Sequence, residues 1–196
     1  MDTDITTTTT TRPTDTGTTE LPRLTAEQFT AWSMEQPEGE RYELYDGVVV
    51  RVPNEGSLHG LTKSRIAYRL MAAIDAAGLN CFVYIDAMKV KIDDRTSFEP
   101  DIVVRCGDRM DDRETLLLDP LIAVEVLSPP SMMTDLNRKR EGYLLLPTLR
   151  HYLIVNADAH SIIHHRRGAD SAFASRNYGD EPITLDPPGI EFDLTP

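Results

Sequence analysis

No stretch of this chain approaches the roughly 20 consecutive apolar residues of a membrane-spanning helix, so no transmembrane segment is expected. The opening MDTDITTTTTTRPTDTGTTE lacks the basic start and the apolar core of a secretory signal. Only 2 cysteines occur in 196 residues. Cys81 and Cys106 lack metal-type spacing and read as two small buried thiols of a reduced, cytoplasmic protein. There is no Walker-type glycine loop, no nucleophile elbow and no Cys–His pair in a motif context, which leaves P-loop, serine-hydrolase and thiol chemistry without support. Positive charge is also short. The net charge of −12 argues against non-specific binding to nucleic acid. The acid is unevenly spread, however: residues 1–50 hold 3 basic against 10 acidic side chains, and residues 51–100 hold 7 against 6. A local basic groove in the middle of the chain is therefore compatible with the total.

What is present suits one folded domain. The chain is 40% hydrophobic and 27% charged, ordinary values for a globular protein. Residues 1–22, dominated by Thr, cannot bury enough surface to fold and read as a disordered tail, with a single domain over 23–196. Thr25 caps a first helix in TAEQFTAWSMEQ, and RYELYDGVVVRVP reads as a hairpin turning at Asp46-Gly47. A long helix runs over 57–78, with Ser57 as its cap and Gly78 as its stop. Strands are expected at CFVYID, MKVKI, DIVVRC, 121–127, HYLIVN and SIIHHRR, with a second helix from Thr134 to about Leu146. The segment 107–120 reads as a polar loop, and the C-terminal stretch as loop with one short edge strand. This mixed order predicts one α/β or α+β sheet with helices packed on it.

The segment LIAVEVLSPPS, residues 121–131, raises the functional question. A short run rich in Val, Leu and Ile and stopped by Ser-Pro-Pro reads as a strand buried on both faces. Glu125 sits in its middle. An ionised carboxylate there needs a partner or takes up a proton. A second acid, Asp101, follows Pro100 at the mouth of DIVVR, with Glu99 two residues earlier. If the two strands are neighbours, Asp101 and Glu125 converge and repel unless a cation bridges them. Two carboxylates with waters suit Mg²⁺ or Mn²⁺. The plainer alternative is that Asp101 caps a turn and Glu125 pairs with an arginine. Asp135, Lys139 and Tyr143 follow at i, i+4 and i+8, along one helical stripe just beyond Glu125. Lys139 either points back over the carboxylates or forms an ordinary surface pair with Asp135.

RYELYDGVVV, a histidine opening a long helix, PDIVV, AVEVLSP, the Asp–Lys–Tyr stripe and HYLIVNAD occur in this order over about residues 24–165. Together they resemble the Uma-type family of "putative restriction endonucleases", a bacterial branch of the PD-(D/E)XK nuclease superfamily. The resemblance implies a central mixed β-sheet flanked by helices, of restriction-endonuclease-like core, and Mg²⁺- or Mn²⁺-dependent hydrolysis of phosphodiester bonds in DNA. Asp101 matches the first acid of the motif and Glu125 the second. Leu127 stands where a D/E-X-K motif has lysine, and the basic residue then comes from the following helix as Lys139. Glu43 matches a further acid of the family's N-terminal part, against the plain reading of an exposed hairpin residue. His59 holds the family's histidine position; it and Tyr143 are the candidates for substrate contact, although His59 is equally read as capping or packing. The implied mechanism has Asp101, Glu125 and the Val126 carbonyl hold one or two divalent ions. Lys139 then positions a water or steadies the phosphorus, and Glu43 orients a water. Asn156 stands where relatives tend to have Asp and reads as structural.

His160, His164 and His165 beside Arg166 and Arg167 suggest zinc only weakly, because alternate strand residues face apart; a solvated basic strand at a rim that meets DNA is the reading taken. Two other function classes stay open: a catalytically silent nucleic-acid- or protein-binding module on a nuclease scaffold, and a hydrolase of another phosphoester. No base-reading helix stands out. Cutting both strands of a duplex favours a homodimer, and the YLLLPTL segment (143–149) belongs either to its interface or to the core.

Overall fold

The computed structural model describes the backbone of residues 23–127 and 133–193 and, except at 133–135, their side chains. The Thr-rich tail over 1–22 and the Asp135 side chain lie outside the described residues. Helix α1 (Ala26–Ser33) starts where Thr25 and Gln28 close a capping box, each side chain accepting the other's backbone N–H. Strands β1 (Arg41–Tyr45) and β2 (Val48–Val52) form the hairpin read from the sequence. Its turn sets Asp46 and Gly47 at φ 46° and 80°, the left-handed pair that a tight two-residue hairpin requires. Helix α2 (Ser57–Ala77) stops at Gly78, whose φ of 64° lets its N–H close on the last carbonyls. Its cap is Gly56 instead of the expected Ser57. Gly56 has the extended backbone of a cap, Ser57 is already helical, and no side chain caps this end.

The remaining elements are β3 (Cys81–Ile85), β4 (Lys89–Asp93), β5 (Thr96–Phe98), β6 (Ile102–Cys106), β7 (Leu116–Leu117), β8 (Ile122–Val126), α3 (Met133–Leu145), β9 (His151–Asn156), β10 (Ser161–Arg167), β11 (Phe173–Tyr178), β12 (Ile183–Leu185) and β13 (Ile190–Phe192). The fold is mixed α+β, with a central six-stranded sheet in the order β11-β10-β9-β8-β6-β3. Its pairs are antiparallel except β8–β9, which is parallel, because α3 carries the chain back between them.

The strands are not gathered into the one sheet that their order suggested. A second sheet runs β2-β1-β5-β4-β7, and β12 and β13 form a separate hairpin. Strands β5, β7, β11 and one of the last two were not legible. The first two have only three and two residues, and they exist because β1 and β4 offer them partners. Cys81 and Cys106 also depart from the expected reduced thiols. The antiparallel register of β3 and β6 sets them directly opposite each other, and they are joined as a disulfide. That pairing depends on register, which 25 residues of separation do not reveal.

Period-two alternation divides the central sheet between two cores. On one face Ile102, Val104, Ile122, Val124, Leu153 and Val155 pack under α2 and the β12–β13 hairpin. On the other, Val103, Ala123, Tyr152 and Ile154 pack against Tyr143 of α3 and against Val90, Phe98 and Leu117 of the second sheet. All five residues of β8 are buried, as a strand covered on both faces must be. Within 143–149, Tyr143, Leu146 and Leu149 join this core, while Leu145 is exposed. Among the described residues no helix is long and apolar enough to cross a membrane.

Candidate active site

The register of β6 against β8, Ile102 opposite Val124, brings the position before Ile102 across from the one after Val124. Asp101 and Glu125 therefore meet. The Val126 N–H donates to Asp101 Oδ2 at 2.7 Å, which holds the Asp101 carboxylate beside the end of β8. By alternation Glu125 shares the face of Ala123 and so points toward α3 and the second sheet.

There it finds two partners. Lys139 Nζ lies 3.2 Å from both Glu125 oxygens, and the Tyr143 hydroxyl donates to Oε1 at 3.0 Å. Both come from one stripe of α3, since residues four apart lie one above the other on a helix. Lys139 also reaches Glu43 Oε1 at 2.8 Å. Glu43 arrives from β1, in the other sheet, with its carboxylate fixed by the Glu99 N–H at 3.0 Å and the Tyr45 hydroxyl at 2.8 Å. Glu43, Asp101, Glu125 and Lys139 expose only between 3% and 7% of their surface. Glu43 is thus no exposed hairpin residue, and Lys139 is no surface lysine. Tyr143 is fully buried, so its hydroxyl serves Glu125 and does not face solvent.

The electrostatics differ sharply between the two acids. Burial pushes the Glu125 carboxyl up to about 8; Lys139 opposes this, but the Asp101 and Glu43 charges add to it. One lysine shared between two carboxylates leaves the group undercompensated. For Asp101 burial also pushes upward, but His59, the Val126 amide and Lys63 outweigh it and hold the carboxyl below its ordinary value.

A second cluster adjoins Asp101 on its Oδ1 side. His59 Nε2 lies 3.1 Å from Oδ1, Lys63 Nζ 3.8 Å and an Arg41 nitrogen 3.9 Å. Glu55 pairs with Arg41 and Lys63 and lies 3.4 Å from His59. Asp86 takes Arg41 at 3.1 Å and Lys63 at 2.6 Å, and Glu99 takes Arg41 at 2.8 Å and Lys89 at 3.4 Å. Asp86 stands at φ 49° between β3 and β4, a left-handed position that aspartate tolerates better than most residues. Arg41, Glu55 and Asp86 line a cleft of about 200 Å³ that opens this side to solvent.

Sequence reasoning missed Arg41, Glu55, Lys63 and Asp86, and noted Glu99 without a role. A signal existed for one of them. His59 and Lys63 follow four apart on α2, as Lys139 and Tyr143 do on α3, and Lys63 is buried despite its charge. Arg41, Glu55 and Asp86 left no such trace, because loops and strands of different sheets bring them together.

The donor set fits a hard divalent ion. Asp101 and Glu125 converge with the adjoining Val126 backbone, and together they present oxygen ligands around a carboxyl still short of positive charge. The histidines of β10 do not fit one. His160 sits exposed in the turn before β10, and neighbouring His164 and His165 face apart. His164 meets His151 at 2.9 Å, while His165 meets Ser175 at 2.7 Å. Only the end of that stretch is a solvated basic strand: His164 and His165 are buried, whereas Arg166 is exposed and Arg167 half-buried. Asn156 accepts the Ala159 N–H at 3.0 Å and closes the β9–β10 turn.

The family model Uma2, described as "Putative restriction endonuclease", matches residues 26–195. A protein of Synechocystis sp. (strain ATCC 27184 / PCC 6803 / Kazusa), named "Uncharacterized protein slr1290", is 25% identical over 174 residues, covering 88% of this chain and 90% of its own. The crystal structure of a "putative nuclease belonging to DUF820" from Anabaena variabilis ATCC 29413 superposes with a TM-score of 0.67 at 16% identity, covering 87% of this chain and 95% of its own. At that identity the likeness speaks for the fold alone.

Proposed function

From the premise that the chain belongs to the Uma2 family of "putative restriction endonucleases", we propose that it is a divalent-metal-dependent DNA endonuclease, with Asp101 and Glu125 as metal-holding acids and Lys139 and Glu43 as their functional partners. The observation that carries this reading is the meeting of Asp101 and Glu125 across β6 and β8, with Lys139 bridging Glu125 to Glu43. A solvated structural pair would not need four buried ionisable groups from two sheets and a helix. Asp101, Glu125 and the Val126 carbonyl would hold Mg²⁺ or Mn²⁺, which supplies Lewis acidity and neutralises charge on the scissile phosphate.

The chain's own groups have distinct tasks. Lys139, already 2.8 Å from Glu43 and 3.2 Å from Glu125, can turn its ammonium toward a phosphate oxygen or a water without leaving the acids. Glu43, pinned by Tyr45 and the Glu99 amide, accepts a hydrogen bond from an attacking water and so orients its lone pair toward phosphorus. In-line attack forms the new oxygen–phosphorus bond as the bond to the leaving oxygen breaks, the water's proton being released to solvent and the leaving oxygen taking one up. Tyr143 positions Glu125 by its hydrogen bond and touches no substrate. Leu127, in the lysine place of the superfamily motif, leaves the ammonium role to Lys139. A homodimer would bring two such centres to the two strands of a duplex.

The test is plasmid nicking in Mg²⁺ or Mn²⁺. Asp101→Ala and Glu125→Ala should abolish it while circular dichroism stays native. Cleavage that survives Asp101→Ala ends the proposal. Binding of duplex without metal-dependent turnover would instead favour a silent module on this scaffold.

A further inference from the structure

The cluster on the Oδ1 side of Asp101 contains an imidazole, which the Asp101–Glu125 pair does not need and the mechanism above does not use. We propose that Glu55, His59 and Asp101 form a second divalent-cation position, sharing Asp101 with the first, and that its nitrogen donor makes it prefer a first-row transition ion such as Mn²⁺ to Mg²⁺. This rests on the metal-dependent reading and extends it. It also gives His59 a different task from the substrate contact implied by the family resemblance.

Four observations carry it. One ligand atom from each of the three residues lies within 4.8 Å of the others, and two of the three residues, His59 and Asp101, are buried. Donors bound at about 2.1 Å and at right angles on one ion lie about 3.0 Å apart. The observed spacings are 3.1 Å for His59 to Asp101 and 3.4 Å for His59 to Glu55, so small side-chain rotations suffice. Second, the two Asp101 oxygens are divided: Oδ2 is held by the Val126 amide, and Oδ1 faces His59.

Third, Glu55 can be released to an ion at little cost. It now pairs with Arg41 and Lys63, but Asp86 holds both of those cations, and Glu99 also holds Arg41. Neither cation is stranded when Glu55 turns away. Finally, Glu55 lines the 200 Å³ cleft, which supplies an entry path to this position. Mg²⁺ favours oxygen shells, whereas imidazole is a better donor to the transition ions.

The experiment is pulsed electron paramagnetic resonance of Mn²⁺ added to the full chain without DNA, with Mn²⁺ affinity from titration. The wild type should show ¹⁴N coupling from one imidazole. His59→Gln should remove that coupling and weaken this ion by at least about tenfold, the smaller loss typical of even outer-shell changes. Glu55→Gln should weaken the ion yet keep the coupling, and Glu125→Gln should keep the coupling too. Circular dichroism confirms that each variant is folded. Mg²⁺ should displace the nitrogen-coupled Mn²⁺ only in large excess in the wild type, and more readily after His59→Gln. Bound Mn²⁺ without nitrogen coupling, coupling that persists in His59→Gln, or no Mn²⁺ binding at all overturns the proposal. The nuclease reading stands or falls separately. Nicking lost in Asp101→Ala without any nitrogen coupling in the wild type sinks only this second position, and nitrogen coupling without nicking sinks only the nuclease.

Discussion

Replacing Glu125 by glutamine removes the one carboxyl that burial, Asp101 and Glu43 together push up to about 8 against the partial relief of Lys139. In the metal-free protein its effect on stability has a definite sign. Between its ordinary value of 4.5 and about 8 the folded state holds a proton that the unfolded state has released, so stability falls as pH rises. The slope for one proton is about 1.4 kcal/mol per pH unit. The buried histidines act oppositely. Burial lowers His151 to about 4 and His164 to about 3 from an ordinary 6.5, so they contribute a stability that grows as pH rises and levels off only about one unit above 6.5. Between pH 6.5 and 8 they still add about 0.4 kcal/mol each, so the difference between the wild type and Glu125→Gln isolates Glu125. In urea unfolding in EDTA the wild type should lose about 2 kcal/mol relative to the variant across this window. Glu125→Gln should rise slightly with the histidines, because the amide carries no charge while keeping the size and a hydrogen bond to Tyr143. Saturating Mn²⁺ should also flatten the wild-type slope by holding the carboxylate ionised. A wild type whose stability does not fall relative to the glutamine variant over this window refutes the reasoning.

Three further outcomes are expected. Lys139→Met should lower the urea midpoint, with a cost of about 3–5 kcal/mol at pH 8, because two buried carboxylates lose their shared cation. An unchanged midpoint would mean that the bridge is not formed. Tyr143→Phe should cost about 1–3 kcal/mol in the same assay by removing a donor to a buried carboxylate; a neutral result would deny that donation. Gly142→Ala should cost about 1–3 kcal/mol, because a Cβ there would sit 2.7 Å from Phe98 Cε2 and 3.3 Å from Ile92 Cγ2. Phe98 cannot simply move, since the Tyr45 and Tyr143 rings flank it. A thermal midpoint equal to the wild type would show that this helix approach is looser.

Much of the site was legible because its members obey local periodicities. Glu125 stood out as a charge in an apolar strand, Asp101 as an acid at a strand mouth, and Lys139 and Tyr143 as residues four apart on a helix. His59 and Lys63 show the same four-residue spacing on α2, but a stripe acquires meaning only from what it faces. Arg41, Asp86 and Glu99 offered nothing to read, because their partners lie on other elements.

The sequence by itself determined where the chain turns and caps: Thr25 with Gln28, Asp46-Gly47 and Gly78 act within a few residues, where local sterics and hydrogen bonds decide. It also determined that β8 is buried on both faces and that its glutamate must be compensated. Only the tertiary structure decided by what. Antiparallel register set Asp101 across from Glu125 and Cys81 across from Cys106. The packing of a second sheet over α3 brought Glu43 to Lys139. The choice between one sheet and several, and between solvated and buried histidines on β10, belongs to the same level. Pairing partners and neighbouring layers are non-local, and the energies that select them come from surfaces that meet only once the chain has folded.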